Sequence, residues 1–211
     1  MPFGYTGQNL PNQTKANSGV FSISEVADLE KQGKFGGSLE LIEEQTASGV
    51  TNIDFTSIQE NKYDVLYLQW TATGGSSLGD SDIRLSNNSG SSFIASGYQE
   101  AWQYGYSTGQ FAEVRSTSAT QMRITADVRS TGYSGGYVYF YNLGNSSKYS
   151  FITFQSFSDL NISGFGDGFA FGGGVLPTAE IHNAIRISLY AGGGGVNATA
   201  KLYGVKQIWV L

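Results

Sequence analysis

The sequence predicts an all-β protein: an antiparallel β-sandwich or jelly roll with an N-terminal extended arm and one short helix. Three observations carry that reading. The 211 residues include 29 glycines, 13 tyrosines and 13 phenylalanines, and aromatic residues favour strands while glycine, asparagine and serine favour tight turns. After Gly49, short apolar–polar alternations recur between turn-forming clusters, as in antiparallel sheets with one buried and one wet face. Only one stretch carries both a start and a stop signal for a helix. A chain of this length suits one sandwich domain plus some extra chain, and can bury roughly 70% of its unfolded surface without a metal or disulfide staple.

Residues 1 to about 20 hold two of the three prolines and almost no apolar periodicity, so they read as an arm without a core of its own. Ser22-Ile23-Ser24-Glu25 fits a capping box. Ile23, Val26 and Leu29 share one face and Gly33 supplies a stop, which predicts a helix over about 23–31. Leu39 to Ile42 predicts a short strand, and the polar run Glu43 to Gly49 reads as a link. The expected division is therefore an anchoring arm over 1–48 and a sandwich over 49–211.

Strands are expected at Val50–Phe55, at Tyr63–Trp70 (dense enough in apolar residues for a central strand) and at Ser81–Ser86, where Asn87-Asn88-Ser89-Gly90 makes a turn. Met122–Arg129 places Met122, Ile124, Ala126 and Val128 on one face. Tyr137–Tyr141, Tyr149–Phe157, Ile185–Tyr190 and Leu202–Leu211 complete roughly eight to ten strands, the count of a sandwich or jelly roll. No internal repeat is evident. The apolar ending Gln207-Ile208-Trp209-Val210-Leu211 is expected to pair within the sheet or pack on a neighbouring subunit, since an exposed strand of that kind invites aggregation.

Several function classes lose support on composition. The net charge is −5, with no cluster of Lys and Arg, so nucleic-acid binding is not expected. No apolar run approaches the roughly 20 residues that cross a bilayer. The start Met1-Pro2-Phe3-Gly4-Tyr5 lacks a signal-peptide pattern, so a soluble protein outside the secretory route is expected. There is no cysteine and one histidine, which leaves no ordinary zinc site. Asn-x-Ser/Thr matches at Asn12, Asn145, Asn161 and Asn197 are expected by chance in so Asn/Ser/Thr-rich a chain.

Catalytic motifs are equally sparse. His182 stands without a Gly-x-Ser-x-Gly elbow leading into a helix and reads as an ordinary loop or strand-edge histidine. Gly164-Phe165-Gly166-Asp167-Gly168 lacks the lysine and the following helix of a phosphate-binding loop. The acids after Gly49 are scattered, so a carboxylate pair for glycoside hydrolysis is not identified. Asp80 and Asp82 are the one candidate calcium pair, since loop oxygens bind that ion, and a plain turn is the simpler reading.

Two segments invite a functional reading. The stretch Gly164 to Gly174 and the run Gly192 to Gly195 together hold ten glycines. They read either as close backbone approach at sheet corners and loops with positive φ, or as a distal loop presenting Phe165, Phe169 and Phe171 to a partner. Tyr98, Trp102, Tyr104 and Tyr106 form a second aromatic cluster, readable as core packing or as a surface that stacks on sugar rings.

The opening GYTGQNLPNQTKANSGVFSISEVADL, with Phe35 to Ile42, resembles the start of virion structural proteins from marine tailed phages, especially T4-like cyanophages. Asn52 to Ile58 followed by Tyr63-Asp64-Val65 is similar to the first strands of their lectin-like sandwich domain. Leu202-Tyr203-Gly204-Val205-Lys206 is similar to their "LYGIK"-type ending, with Val205 in place of the usual isoleucine. The resemblance spans nearly the whole chain and implies a non-enzymatic, cofactor-free protein displayed on the phage particle surface, as a head fibre, decoration or tail component. It further implies partners among other virion proteins and sister copies, as a homo-oligomer and plausibly a trimer.

The arm would be the anchor. Twenty extended residues reach roughly 65 Å, against a radius of gyration of about 17 Å for a domain of this length. Ordering them costs roughly 1–2 kcal/mol per residue, so neighbours must order them, through Phe3, Tyr5, Leu10, Val20 and Phe21. Two alternatives stay open: a lectin-like adhesin that binds host surface glycan through the aromatic or glycine-rich loops, and a polysaccharide depolymerase.

Overall fold

The computed structural model describes residues 39–74, 79–125, 132–159, 167–189 and 195–206. The arm, the predicted helix and the Gln207–Leu211 ending lie outside the described residues. Twelve strands run in order as β1 (Leu39–Val50), β2 (Asn52–Phe55), β3 (Val65–Thr73), β4 (Ser81–Ser86), β5 (Tyr98–Tyr106), β6 (Phe111–Ala119), β7 (Met122–Arg123), β8 (Tyr133–Tyr141), β9 (Tyr149–Asp159), β10 (Asp167–Ala179), β11 (Ala184–Leu189) and β12 (Val196–Val205). They form two antiparallel sheets, one of eight strands in the order β1-β12-β3-β8-β9-β10-β5-β6 and one of four in the order β2-β11-β4-β7. No helix occurs among the described residues.

The sheets share one apolar core. In the small sheet, Ile53, Ile187, Ile83 and Met122 form one cross-strand row, and Phe55, Ile185 and Leu85 form the next. These buried side chains belong to the same cluster as Leu66, Leu68 and Trp70 of β3, Val138 and Phe140 of β8, and Ile152 and Phe154 of β9. Cross-strand β-branched and aromatic pairs of this kind each contribute roughly 0.2–1 kcal/mol beyond their burial. Tyr98 ties the sheets together with its polar end: its hydroxyl accepts from the Leu85 amide at 2.9 Å and donates to the Ile94 carbonyl at 3.1 Å.

Four expectations need correcting. Glu43–Gly49 is not a link. It continues β1, paired with β12 from Glu43↔Leu202 to Ala47↔Ala198, and the chain divides between Ser38 and Leu39 rather than after residue 48. The polar character of this run reflects an edge position, where side chains face water on several sides and two register shifts interrupt the ladder. Secondly, Tyr98–Tyr106 and Phe111–Ala119 are strands that no sequence expectation marked, which brings the strand count above the eight to ten expected.

Thirdly, Asp167–Gly174 is neither a corner nor a loop but the start of β10, which runs between β9 and β5. Its glycines answer to the close-approach reading and not to the positive-φ reading: among the described residues, the glycines with positive φ are Gly49, Gly74, Gly90, Gly97 and Gly109. Fourthly, the Met122–Arg129 alternation is a strand only over the two-residue β7, with Met122 and Ile124 buried as expected and Ala126–Arg129 outside the described residues.

Candidate functional site

The inner and outer faces of the large sheet differ sharply. Along β3, Leu66, Leu68, Trp70 and Ala72 point inward and are buried, so Tyr67, Gln69 and Thr71 point outward. The same alternation places Tyr137, Tyr139 and Tyr141 of β8, Phe151 and Phe157 of β9, and Phe169 and Phe171 of β10 on the outer face. Across β3, β8, β9 and β10 the outward positions are aromatic, Thr, Gln, Gly or Val. The carboxylates Asp159 and Asp167, paired with each other in register, stand at one end.

The register divides this face in two. On one side, Tyr203, Tyr67 and Tyr139 sit in a cross-strand row. Tyr67 packs against Tyr139, Tyr137 and Tyr203 with ring centroids 5.0, 5.9 and 5.9 Å away. On the other side, Phe157 pairs across the strands with Phe169, and Phe169 meets Phe111 at 5.7 Å and Phe171 at 6.3 Å. Phe111, Phe157 and Phe171 are 70%, 54% and 43% exposed. Glycines let these rings lie down on the sheet. A Cβ on Gly105 would stand 2.9–3.0 Å from the Phe111 and Phe169 rings, and one on Gly135 would stand 3.3 Å from Phe157, so each ring occupies the space that a neighbouring side chain would fill.

Two of the tyrosine hydroxyls on the face are bonded within the chain. Tyr137 donates its hydroxyl hydrogen to Gln155 Oε1 at 2.7 Å, and the hydroxyls of Tyr141 and Thr153 are 3.2 Å apart. Charge keeps to the margins of the face: Asp159 and Asp167 at one end, the Glu44–Lys201 pair at 3.1 Å on one side and the Glu113–Arg115 pair at 4.0 Å on the other. Beside the phenylalanines, Gly173 and Ala101 are register partners and leave a shallow trough of about 880 Å³, walled by Gln99, Arg115, Ser116, Thr117 and Ser118.

Phe169 and Phe171 therefore do lie on an exposed surface, though on a strand and not on a loop. Phe165 lies outside the described residues, as do Phe3, Tyr5, Leu10, Val20 and Phe21. Trp102 is buried in the core and Tyr104 is half-buried beside it at 5.5 Å, which answers to the core-packing reading of that cluster.

Two buried polar clusters complete the inventory. His182 and Ser150 are both 0% exposed. Ser150 Oγ lies 2.8 Å from His182 Nδ1, and His182 Nε2 lies 3.2 Å from Glu180 Oε1. Burial holds the imidazole below its usual pKa despite the Glu180 charge, so the ring is neutral at pH 7. A carboxylate only accepts, so Nε2 carries the proton and Ser150 donates to Nδ1. The connectivity is that of a nucleophilic triad, yet no substrate carbonyl can reach a serine with no exposed surface. It acts as a polar clasp joining β9 to the segment before β11, reinforced by the His182 amide donating to Leu143 O at 2.8 Å.

The second cluster lies on the small sheet. Asp82 is buried beside Arg84, whose Nε is 3.9 Å from Oδ1, while Asp80 pairs with Arg123 at 3.4 Å. Arg123 also reaches Glu100, through Nε at 3.4 Å and through its backbone amide at 2.8 Å. Burial pushes the Asp82 carboxyl up to about 6 against the lowering influence of Ser188 and Arg84. The carboxylates proposed for calcium thus face guanidinium groups, and no group of three or more metal-capable side chains occurs among the described residues.

The fold and this face together define an antiparallel two-sheet protein with a broad aromatic surface whose centre is uncharged. Compared with known proteins, the chain matches no family model, no curated protein and no solved structure.

Proposed function

We propose that the protein is a structural component of a tailed-phage particle, displayed on its surface and working through contacts. The observation that carries this reading is the outer face of the large sheet, where exposed phenylalanines and tyrosines on β8, β9, β10 and β6 adjoin the half-buried Tyr67, Tyr137, Tyr139 and Tyr141. Contiguous apolar patches larger than a few hundred Å² mark interaction sites on soluble proteins. The particle assignment draws on the resemblance of the opening and closing strings to virion proteins.

Strand order supports the same placement. Setting aside the hairpins β5–β6 and β9–β10, the remaining eight strands, renumbered in chain order, run 1-8-3-6 in one sheet and 2-7-4-5 in the other. This is the pairing of a double Greek-key jelly roll, an architecture shared by viral capsid and lectin domains. That likeness is one of fold, and it bears on function only by analogy. Residues 1–38 are the proposed anchor, since 39–48 belong to β1.

The test is immunolabelling of purified particles with an antibody raised against the chain. Regular labelling on the particle surface is expected; particles that lack the protein by both labelling and mass spectrometry would refute the assignment. A second reading, a lectin-like adhesin, draws on the trough at Gly173 and Ala101, whose walls of Gln, Ser and Thr offer neutral hydrogen bonds. Saturable binding of host polysaccharide, lost in Gln99→Ala with Ser116→Ala, would favour it.

A further inference from the structure

We infer that the outer face of the large sheet is the surface through which two copies of this chain pair. The inference rests on the contact role proposed for the face and not on the particle assignment. The phenylalanine half of the face lies wholly on the added hairpins: Phe151 and Phe157 on β9, Phe169 and Phe171 on β10, and Phe111 on β6. These hairpins widen the large sheet to eight strands against four in the small one, and they place exposed rings on the side turned away from the core.

Three features select a second copy as the occupant. The first is size. Six strands from β12 to β5, spaced about 4.8 Å and about nine residues long at roughly 3.3 Å each, span about 850 Å², close to the roughly 800 Å² that each partner gives to a stable interface. The second is anatomy. An uncharged aromatic centre flanked by the ion pairs Glu44–Lys201 and Glu113–Arg115 matches an interface core with a polar rim. A chain of net charge −5 therefore meets its copy over an uncharged centre, with Asp159 and Asp167 left at one end of the face.

The third feature is desolvation. The hydroxyls of Tyr137 and Tyr141 are already bonded to Gln155 and Thr153, so these two can be covered by protein without losing a partner. The mid-line between β8 and β9 separates the tyrosine half from the phenylalanine half. A two-fold axis along that line lays each half on the other, as an isologous contact requires.

Sedimentation equilibrium of the full chain, with Phe157→Glu and Phe171→Glu variants, tests the pairing. Both side chains are largely exposed, and an unchanged melting profile shows that the variants fold. The native chain is expected to associate at tens of micromolar, and each variant to fall to the 22.6 kDa of one chain. The chain has no cysteine, so Gln155→Cys, beside the proposed axis, should be joined to its copy by a bifunctional thiol reagent about 10 Å long, the spacing of packed sheets, and Ser116→Cys on the distant β6 should not. A native chain that stays monomeric to about 100 µM overturns the inference. So does an oligomer that survives both glutamates, or one in which Gln155→Cys fails to cross-link.

Discussion

Gly172 stands opposite Trp102 in the β10–β5 ladder, and a Cβ added to it would collide with the Cα and Cβ of the tryptophan. The glycine is there because the backbone of β5 and the root of a buried indole fill the space its side chain would occupy.

Gly172→Ala should therefore destabilise the protein by about 1–3 kcal/mol, the usual cost of overpacking a core, measured by urea denaturation. Adding Trp102→Ala should give no rescue, because alanine keeps both blocking atoms. Recovery of stability in the double variant would show that the indole ring, not the strand backbone, sets the requirement.

Ser150→Ala leaves His182 Nδ1 buried without a donor, and a loss of about 1–3 kcal/mol at pH 7 is expected. The pH dependence has a definite sign. A histidine whose folded pKa lies below the ordinary 6.5 contributes stability that is present above 6.5 and is lost as pH falls, because the unfolded chain takes up the proton first. His182→Gln should remove that acid-side loss. An unchanged slope between pH 6.5 and 5 would count against a neutral buried ring.

Asp82 runs the other way. Its carboxyl is raised from 3.8 to about 6 by burial, so the folded state holds its proton longer and stability falls as pH rises from about 4 to 6. The shift corresponds to at most about 3 kcal/mol. Asp82→Asn should flatten the stability profile in that window. Parallel native and variant profiles would mean that Arg84 fully compensates the buried charge.

On the outer face the expectation is near-neutrality. Phe111→Ser and Phe157→Ser should change the stability of the single chain by no more than about 1 kcal/mol, since each ring is more than half exposed and loses only its surface contact with Phe169. A loss of 2 kcal/mol or more would make these rings part of the fold and not of a contact surface.

The all-β class was legible because strand-forming aromatics and turn-forming glycines both act locally. Ser81–Ser86 appears as a strand with those bounds, and Asn87 to Gly90 forms the expected turn, with Ser89 and Gly90 at positive φ. The helix and the arm anchors lie outside the described residues. β10 was illegible because glycine is a turn signal in sequence, and only the partner strand shows that Gly172 yields room to Trp102. β1 was misread beyond Ile42 because an edge strand needs no apolar face to pair.

The aromatic face belongs to the same division. Alternation along Tyr149–Phe157 or Tyr137–Tyr141 tells which residues share a side of a strand, since successive side chains point to opposite faces. It does not tell which side meets the core, because both sides here carry large apolar residues. The amino-acid sequence by itself determined the chemistry: antiparallel strands, no thiol, little charge and an excess of rings. Only the tertiary structure decided which rings became the core and which were left exposed, because that choice depends on which face the small sheet covers. Strand order and register, set between residues far apart in the chain, control it.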